Sequence, residues 1–114
     1  MDECIFCKII NREIPSTIVY EDEDVLAFRD LDPKAPTHFL VIPKQHIPSA
    51  ACIGPDNEAI MGKVMSAIAK IAKDMGLEEK GFRIVINTGE DAGQTVHHIH
   101  FHVMSGRKFA WPAG

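Results

Sequence analysis

The stretch His98-Ile99-His100-Phe101-His102-Val103-Met104 alternates polar and apolar residues with a period of two. Residues two apart in an extended strand point to one face, so the pattern predicts a strand that buries Ile99, Phe101 and Val103. The three histidines then share the opposite face. A merely solvated face would favour Thr, Lys or Glu over three titratable rings, so the row points to chemistry. A single metal ion does not account for it. At strand rise the Cα atoms of His98 and His102 are roughly 13 Å apart, whereas metal–nitrogen bonds are about 2 Å. The row suits divided labour along an extended substrate. Neutral imidazole is a competent nucleophile near neutral pH, and its charged form donates to phosphate oxygens. The loop just upstream, Gly89-Glu90-Asp91-Ala92-Gly93-Gln94-Thr95, sets flexible backbone and donor side chains beside the row. Amides and hydroxyls of that kind can hold a phosphate.

Working outward, Phe82 to Asn87 reads as another strand, and His38-Phe39-Leu40-Val41-Ile42 as a buried one stopped by Pro43. Thr17 to Glu21 and Val25 to Arg29 flank the acidic turn Asp22-Glu23-Asp24, a hairpin signal. Asp30 to Pro36 is loop. The one long helix lies between Asp56 and Met75, where Ile60, Val64, Ile68 and Ala72 recur at i, i+4 steps. Met61, Met65 and Ile71 widen that stripe, so the methionines are expected in the core. Asp56 is the expected N-cap, and Gly76 suits the left-handed position beyond the last turn. Cys4 to Ile10 reads as a short helix or turn packed on the body. Five short strands with hairpins and no βαβ alternation give an α+β fold: a five-stranded antiparallel sheet, one long helix and a short N-terminal helix. The expectation is a single domain over residues 1–114.

Composition narrows the function classes. With 46% hydrophobic and 25% charged residues, the chain has the make-up of a folded globule rather than a disordered or collagen-like one. Twelve Lys+Arg against sixteen Asp+Glu leave a net charge of −4, which argues against a nucleic-acid partner. Lys63, Lys70 and Lys73 interrupt the most apolar helix, so no membrane span is expected. The acidic start Met1-Asp2-Glu3-Cys4 lacks the apolar core of a signal peptide. With three cysteines, an odd number, a disulfide framework is not expected, and a cytoplasmic location is. Cys52 stands alone, and His97 faces away from the row. Cys4-Ile5-Phe6-Cys7 is C-x-x-C, which by itself is half of a tetrahedral metal site.

These residues together resemble the histidine-triad (HIT) superfamily, whose motif alternates three histidines with apolar positions as His98 to Met104 does. The similarity runs from Cys4 to Gly114. It takes in Ile9-Ile10 to Pro15, Leu26-Ala27-Phe28, Asp30, and Pro36 to His46. It continues through Asn87, Gly93-Gln94-Thr95-Val96 and Trp111-Pro112. The Hint branch, the histidine triad nucleotide-binding proteins, is the one it looks most like. That resemblance implies a homodimer whose two sheets join into one, a purine-nucleotide pocket, and hydrolysis of nucleoside phosphoramidates without a catalytic cofactor. Carried over by position, His100 is the nucleophile that becomes nucleotidylated, His102 and the Gln94-Thr95 segment contact the phosphate, and His38 stands beside the triad. Asp30 and Leu31 fall at the ribose, Ile9 and Phe28 wall the base, and Asn87, Gly93 and Val96 belong to the nucleotide site. Trp111 reaches toward the partner subunit. Thr95 departs from the serine of many members, keeping the hydroxyl but adding a methyl on the leaving-group side. Relatives with the C-x-x-C complete a zinc site through positions matching His46 and His98. Here the pair is either a structural zinc site, with Cys4, Cys7, His46 and His98 as ligands, or two reduced, buried cysteines.

The readings from other classes are a nucleotide-binding scaffold whose activity is incidental and a metallohydrolase using His98 and His100 as ligands. Dinucleoside polyphosphate cleavage is a close variant of the first reading.

Overall fold

The computed structural model describes residues 4–114, so the acidic start Met1-Asp2-Glu3 lies outside the described residues. Its elements run α1 (Ile5–Ile10), β1 (Ile18–Glu21), β2 (Val25–Arg29), β3 (Thr37–Pro43), a 3₁₀ turn at Ala50–Cys52, α2 (Glu58–Asp74), β4 (Arg83–Val85) and β5 (Phe101–Ser105). All five strands form one antiparallel sheet in the order β1-β2-β3-β5-β4. The α+β architecture read from the sequence is the observed one.

β2 and β3 are the central strands, and apart from their end residues they are buried throughout. A run without alternation is what a strand covered on both faces requires. Val25, Ala27, Phe39 and Val41 pack with Val64, Ala67, Ile68 and Ile71 of α2. Leu26, Phe28, Leu40 and Ile42 face the other way, onto Phe6 and Ile9 of α1. The histidine row belongs to this second side, because His102 pairs with Leu40 across β3 and β5. Ile99, Phe101 and Val103 lie in the α2-side core, as the alternation predicts.

Several boundaries, and the burial of one methionine, differ from the sequence expectations. β5 begins at Phe101, three residues after His98. The β3–β5 register would set Ile99 opposite Pro43, which has no N–H to continue the ladder. The Ile99 amide instead donates to the Ile47 carbonyl at 2.7 Å. β4 covers only Arg83–Val85, opposite Met104, Val103 and His102, and is shorter at both ends than the expected strand. Asp56 does not cap α2; Asn57 holds that position, and its carboxamide faces backward, accepting from Gly54 N–H at 2.8 Å. Met65 is 46% exposed, on the outer margin of the stripe. The far end of α2 follows expectation. Gly76 sits at φ +71°, Leu77 N–H reaches Ala72 carbonyl and Gly76 N–H reaches Lys73 carbonyl, which closes the helix as a Schellman turn. In the predicted hairpin, Asp22 Oδ1 accepts from the amides of Asp24 and Val25, both at 2.8 Å.

Candidate active site

The row is held at the end of β5 and in the three residues before it, beneath α1. Phe6 sets its ring edge-on to both His98 and His100, at centroid distances of 6.0 and 5.1 Å. Each histidine has a different set of partners, and those partners fix which nitrogen carries the proton.

His100 Nδ1–H donates to the backbone carbonyl of His98 at 2.8 Å. Its Nε2 is therefore the lone-pair nitrogen, the form a nucleophile needs. His102 stands on β5 with its Nδ1 3.0 Å from His38 Nε2. Asp30 Oδ2 lies 3.4 Å from that His38 nitrogen and 4.0 Å from His102 Nδ1. Burial pushes the His102 pKa down to about 4, with the neighbouring His100 and His38 adding to the effect. His38 is shifted down as well, chiefly by burial and against the pull of Asp30. Both rings are thus neutral near pH 7.

His98 is fully buried and plays a different part. Its Nε2–H donates to the Pro43 carbonyl at 2.8 Å, so Nδ1 carries the lone pair. That lone pair faces Cys4 Sγ at 3.4 Å, Cys7 Sγ at 3.6 Å and His46 Nδ1 at 3.2 Å. Cys7 Sγ is 3.4 Å from His46 Nδ1. All four ligand atoms lie within 4.8 Å of one another. A tetrahedral zinc has edges of about 3.3 Å between nitrogens and about 3.5 Å between nitrogen and sulfur. The donor set and its spacing fit such an ion. Burial pushes the Cys7 thiol up to about 11, with Cys4 adding to the rise, and holds the His98 imidazole down at about 4. A cation in the cage would displace the thiol protons and take up imidazoles that are already neutral. With its free nitrogen turned to the cysteines, His98 does not share a ligand position with His100.

Beside the row lies a cavity of about 200 Å³, walled by apolar side chains including Phe6, Ile9, Ile14, Phe28 and Leu40, with Asp30 and Leu31 at its rim. Four predicted nucleotide-site residues, Ile9, Phe28, Asp30 and Leu31, thus meet at one cavity. Phe6, Ile14 and Leu40 were not singled out by sequence reasoning. The i, i+3 spacing of Phe6 and Ile9 on one face of α1 is the signal that would have found the first. Val96 packs on the same apolar cluster. Asn87 follows two residues after Val85, which pairs with His102. Gly93 turns the loop at φ +86°, and Thr95 is exposed beyond it. The Gln94 carboxamide is fully engaged inside the loop. It donates to the carbonyls of Pro48 (2.8 Å) and Val96 (3.0 Å) and accepts from Gly89 N–H (3.0 Å). Its side chain shapes the loop rather than facing a ligand. Trp111 is 84% exposed and joins no site within this chain. His97 and Cys52 are exposed, away from these clusters. A larger cavity, about 500 Å³, is lined by residues of the Gly76–Gly81 and Ser105–Lys108 segments.

Comparison with known proteins identifies relatives over nearly the whole chain. The HIT domain family matches residues 11–109. The purine nucleoside phosphoramidase of Escherichia coli (strain K12) is 48% identical over 106 residues, covering 93% of this chain and 89% of the relative. A HIT-like protein of Synechococcus elongatus is 50% identical over 99% of this chain and 98% of its own length. Among solved structures, a HIT family hydrolase from Legionella pneumophila superposes with a TM-score of 0.95 at 45% identity, covering 98% of this chain and all of that one. A histidine triad protein from Clostridium difficile gives 0.92 at 51% identity, over 96% of this chain and 95% of that one. On the family match and on these nearly co-extensive relatives, the chain belongs to the HIT domain family.

Proposed function

We propose that this protein hydrolyses purine nucleoside 5′-phosphoramidates through a covalent intermediate on His100. The observation that carries the reading is the bond from His100 Nδ1–H to the His98 carbonyl, which leaves Nε2 as the free nucleophile beside an apolar cavity. The similarity to the E. coli purine nucleoside phosphoramidase supports the substrate class.

In this reading the base enters the cavity against Ile9 and Phe28, and the ribose hydroxyls meet Asp30 and Leu31. His102 Nε2–H and the Thr95 hydroxyl donate to the phosphoryl oxygens, where charge grows in the transition state. Asn87, Gly93 and Val96 complete the phosphate side, with Gln94 bracing the loop from within. His100 Nε2 attacks the α-phosphorus, and the bond from phosphorus to the leaving nitrogen breaks. The amine departs with that electron pair and is protonated at the expense of water. Hydrolysis of the phosphorus–histidine bond then returns the pair to Nε2 and releases the nucleoside monophosphate. Dividing one hard displacement into two is the advantage of the covalent route. No step requires a cofactor.

We further propose that Cys4, Cys7, His46 and His98 hold a structural zinc ion, which would cross-link α1 to the segment before β5. Trp111 and a free sheet edge at β4 support a homodimer, and cysteines at positions 4 and 7 that are not joined in a disulfide suit the cytoplasm.

The test is incubation with an amine-linked AMP, quenching, and mass spectrometry of the protein. An AMP adduct on His100, absent in His100→Ala along with turnover, is the expected result. Turnover by His100→Ala at the native rate overturns the assignment. A panel that adds dinucleoside polyphosphates separates the neighbouring substrate class.

A further inference from the structure

The segment after β5 is clasped onto the loop between β2 and β3. Gly106 adopts φ +100° and lies so close to Pro36 that a Cβ added to it would sit 2.8 Å from the proline Cβ. Next to it, Arg107 Nε and Nη2 both donate to the Lys34 carbonyl, at 3.1 and 3.0 Å. The guanidinium is stacked over Phe109, 4.3 Å from the ring centre. A planar fork on one acceptor, backed by a ring, is a rigid attachment.

Lys34 is gripped from its other side too. Its backbone N–H donates to His38 Nδ1 at 3.0 Å. A peptide amide only donates, so His38 Nδ1 must be the lone-pair nitrogen and Nε2 must carry the proton. That Nε2 is 3.0 Å from His102 Nδ1 and donates to it. His102 Nδ1 is then the acceptor, and the proton of His102 resides on Nε2. Each assignment follows from the one before, starting at an amide whose direction cannot reverse. A further proton has no place in the chain without breaking one of these bonds.

We propose that Arg107 is a positioning residue for His102: by holding Lys34 it fixes the tautomer of His38, and through His38 it keeps a proton on His102 Nε2. The inference rests on the reading of His102 as the donor to the phosphoryl group. On that reading His102 is a neutral hydrogen-bond donor, and the C-terminal turn sets its direction although it touches neither ring. A wrong tautomer would set a lone pair against the phosphoryl oxygens, which is repulsive where a donor is needed.

The experiment is ¹⁵N-resolved NMR of the imidazole nitrogens together with steady-state kinetics on an amine-linked AMP. In the native protein, both His38 and His102 are expected as single Nε2–H tautomers. In Arg107→Met, which keeps the stem over Phe109 but loses the fork, the His102 nitrogens should shift toward a mixture of tautomers. kcat should fall by roughly tenfold or more, as for displaced catalytic groups, with KM changed less than about twofold. Arg107→Lys, with a single donor nitrogen in place of the fork, should recover part of both. A native His102 protonated on Nδ1 overturns the proposal even if Arg107→Met does not fold. So does an Arg107→Met protein with native tautomers and native kcat. Absence of turnover in the native protein sinks the proposed function, while the NMR result still decides the clasp.

Discussion

His102 offers a direct check at the scale of a single residue. Its pKa in the folded chain is held at about 4 by burial, against 6.5 for a free imidazole. Between those values the unfolded chain binds a proton that the folded one refuses, so stability is full above about pH 6.5 and declines as the pH falls toward 4. At about 1.4 kcal/mol for each pH unit, the fall attributable to His102 is on the order of 3 kcal/mol. Urea unfolding at pH 7 and pH 4.5 should show that loss, and His102→Asn should make the decline shallower. An equally steep decline in the variant would show that other groups carry the acid sensitivity. The alternation of residues 98 to 104 was enough to place Ile99, Phe101 and Val103 in the core and the histidines on one face. It could not separate the surroundings of the three rings, because these include Pro43, Cys4, Cys7, His46 and His38, which are distant in the sequence. Gln94 shows the same limit: nothing local says that its carboxamide is occupied by Pro48, Val96 and Gly89.

Among the elements, α1 and α2 are stabilised in different ways. α2 lays a five-residue stripe, Val64, Ala67, Ile68, Ile71 and Ala72, on the sheet, and its register was readable because burial follows the helical period. Its start was not, since Asn57 and Glu58 are both drawn onto the Gly54 carbonyl by the preceding turn. Met65 escaped the core because it lies at the edge of the stripe, where period alone does not decide. α1 has only six residues, too few to persist unaided. Its hold on the sheet comes from Phe6 and Ile9 and from the cysteines at its N-terminus. Chelation should therefore loosen α1 far more than α2. Metal analysis is expected to find one zinc per chain. Removing it should lower Tm by about 5 °C or more, and hydrogen exchange should rise first at residues 5–10. Protein that contains no zinc and takes none up would refute the metal site.

For the molecule as a whole, one edge of the sheet is β4, a three-residue strand with partly exposed side chains, followed by Ile86, which is 41% exposed. The exposed apolar flank, rather than the short ladder itself, is what a second copy would cover in the proposed dimer. Sedimentation equilibrium should give twice the chain mass, and Trp111→Ala should preserve that mass while altering kinetics with bulky leaving groups. A monomer at micromolar concentration would refute the dimer. Net charge is a property of the same scale, and among the described residues no helix is long and apolar enough to cross a membrane. The clasp of Arg107 on Lys34 was invisible in the sequence, because it joins residues 73 positions apart through a carbonyl. The contact between Cys4 and His98 spans 94 positions, and its consequence lies in biosynthesis. At 5–20 residues per second, Cys4 leaves the ribosome roughly 5–20 s ahead of His98. Phe6 and Ile9 can settle on β2 and β3 as soon as those strands exist, whereas the two thiols beside them have no His98 to face until nearly all of the chain has followed.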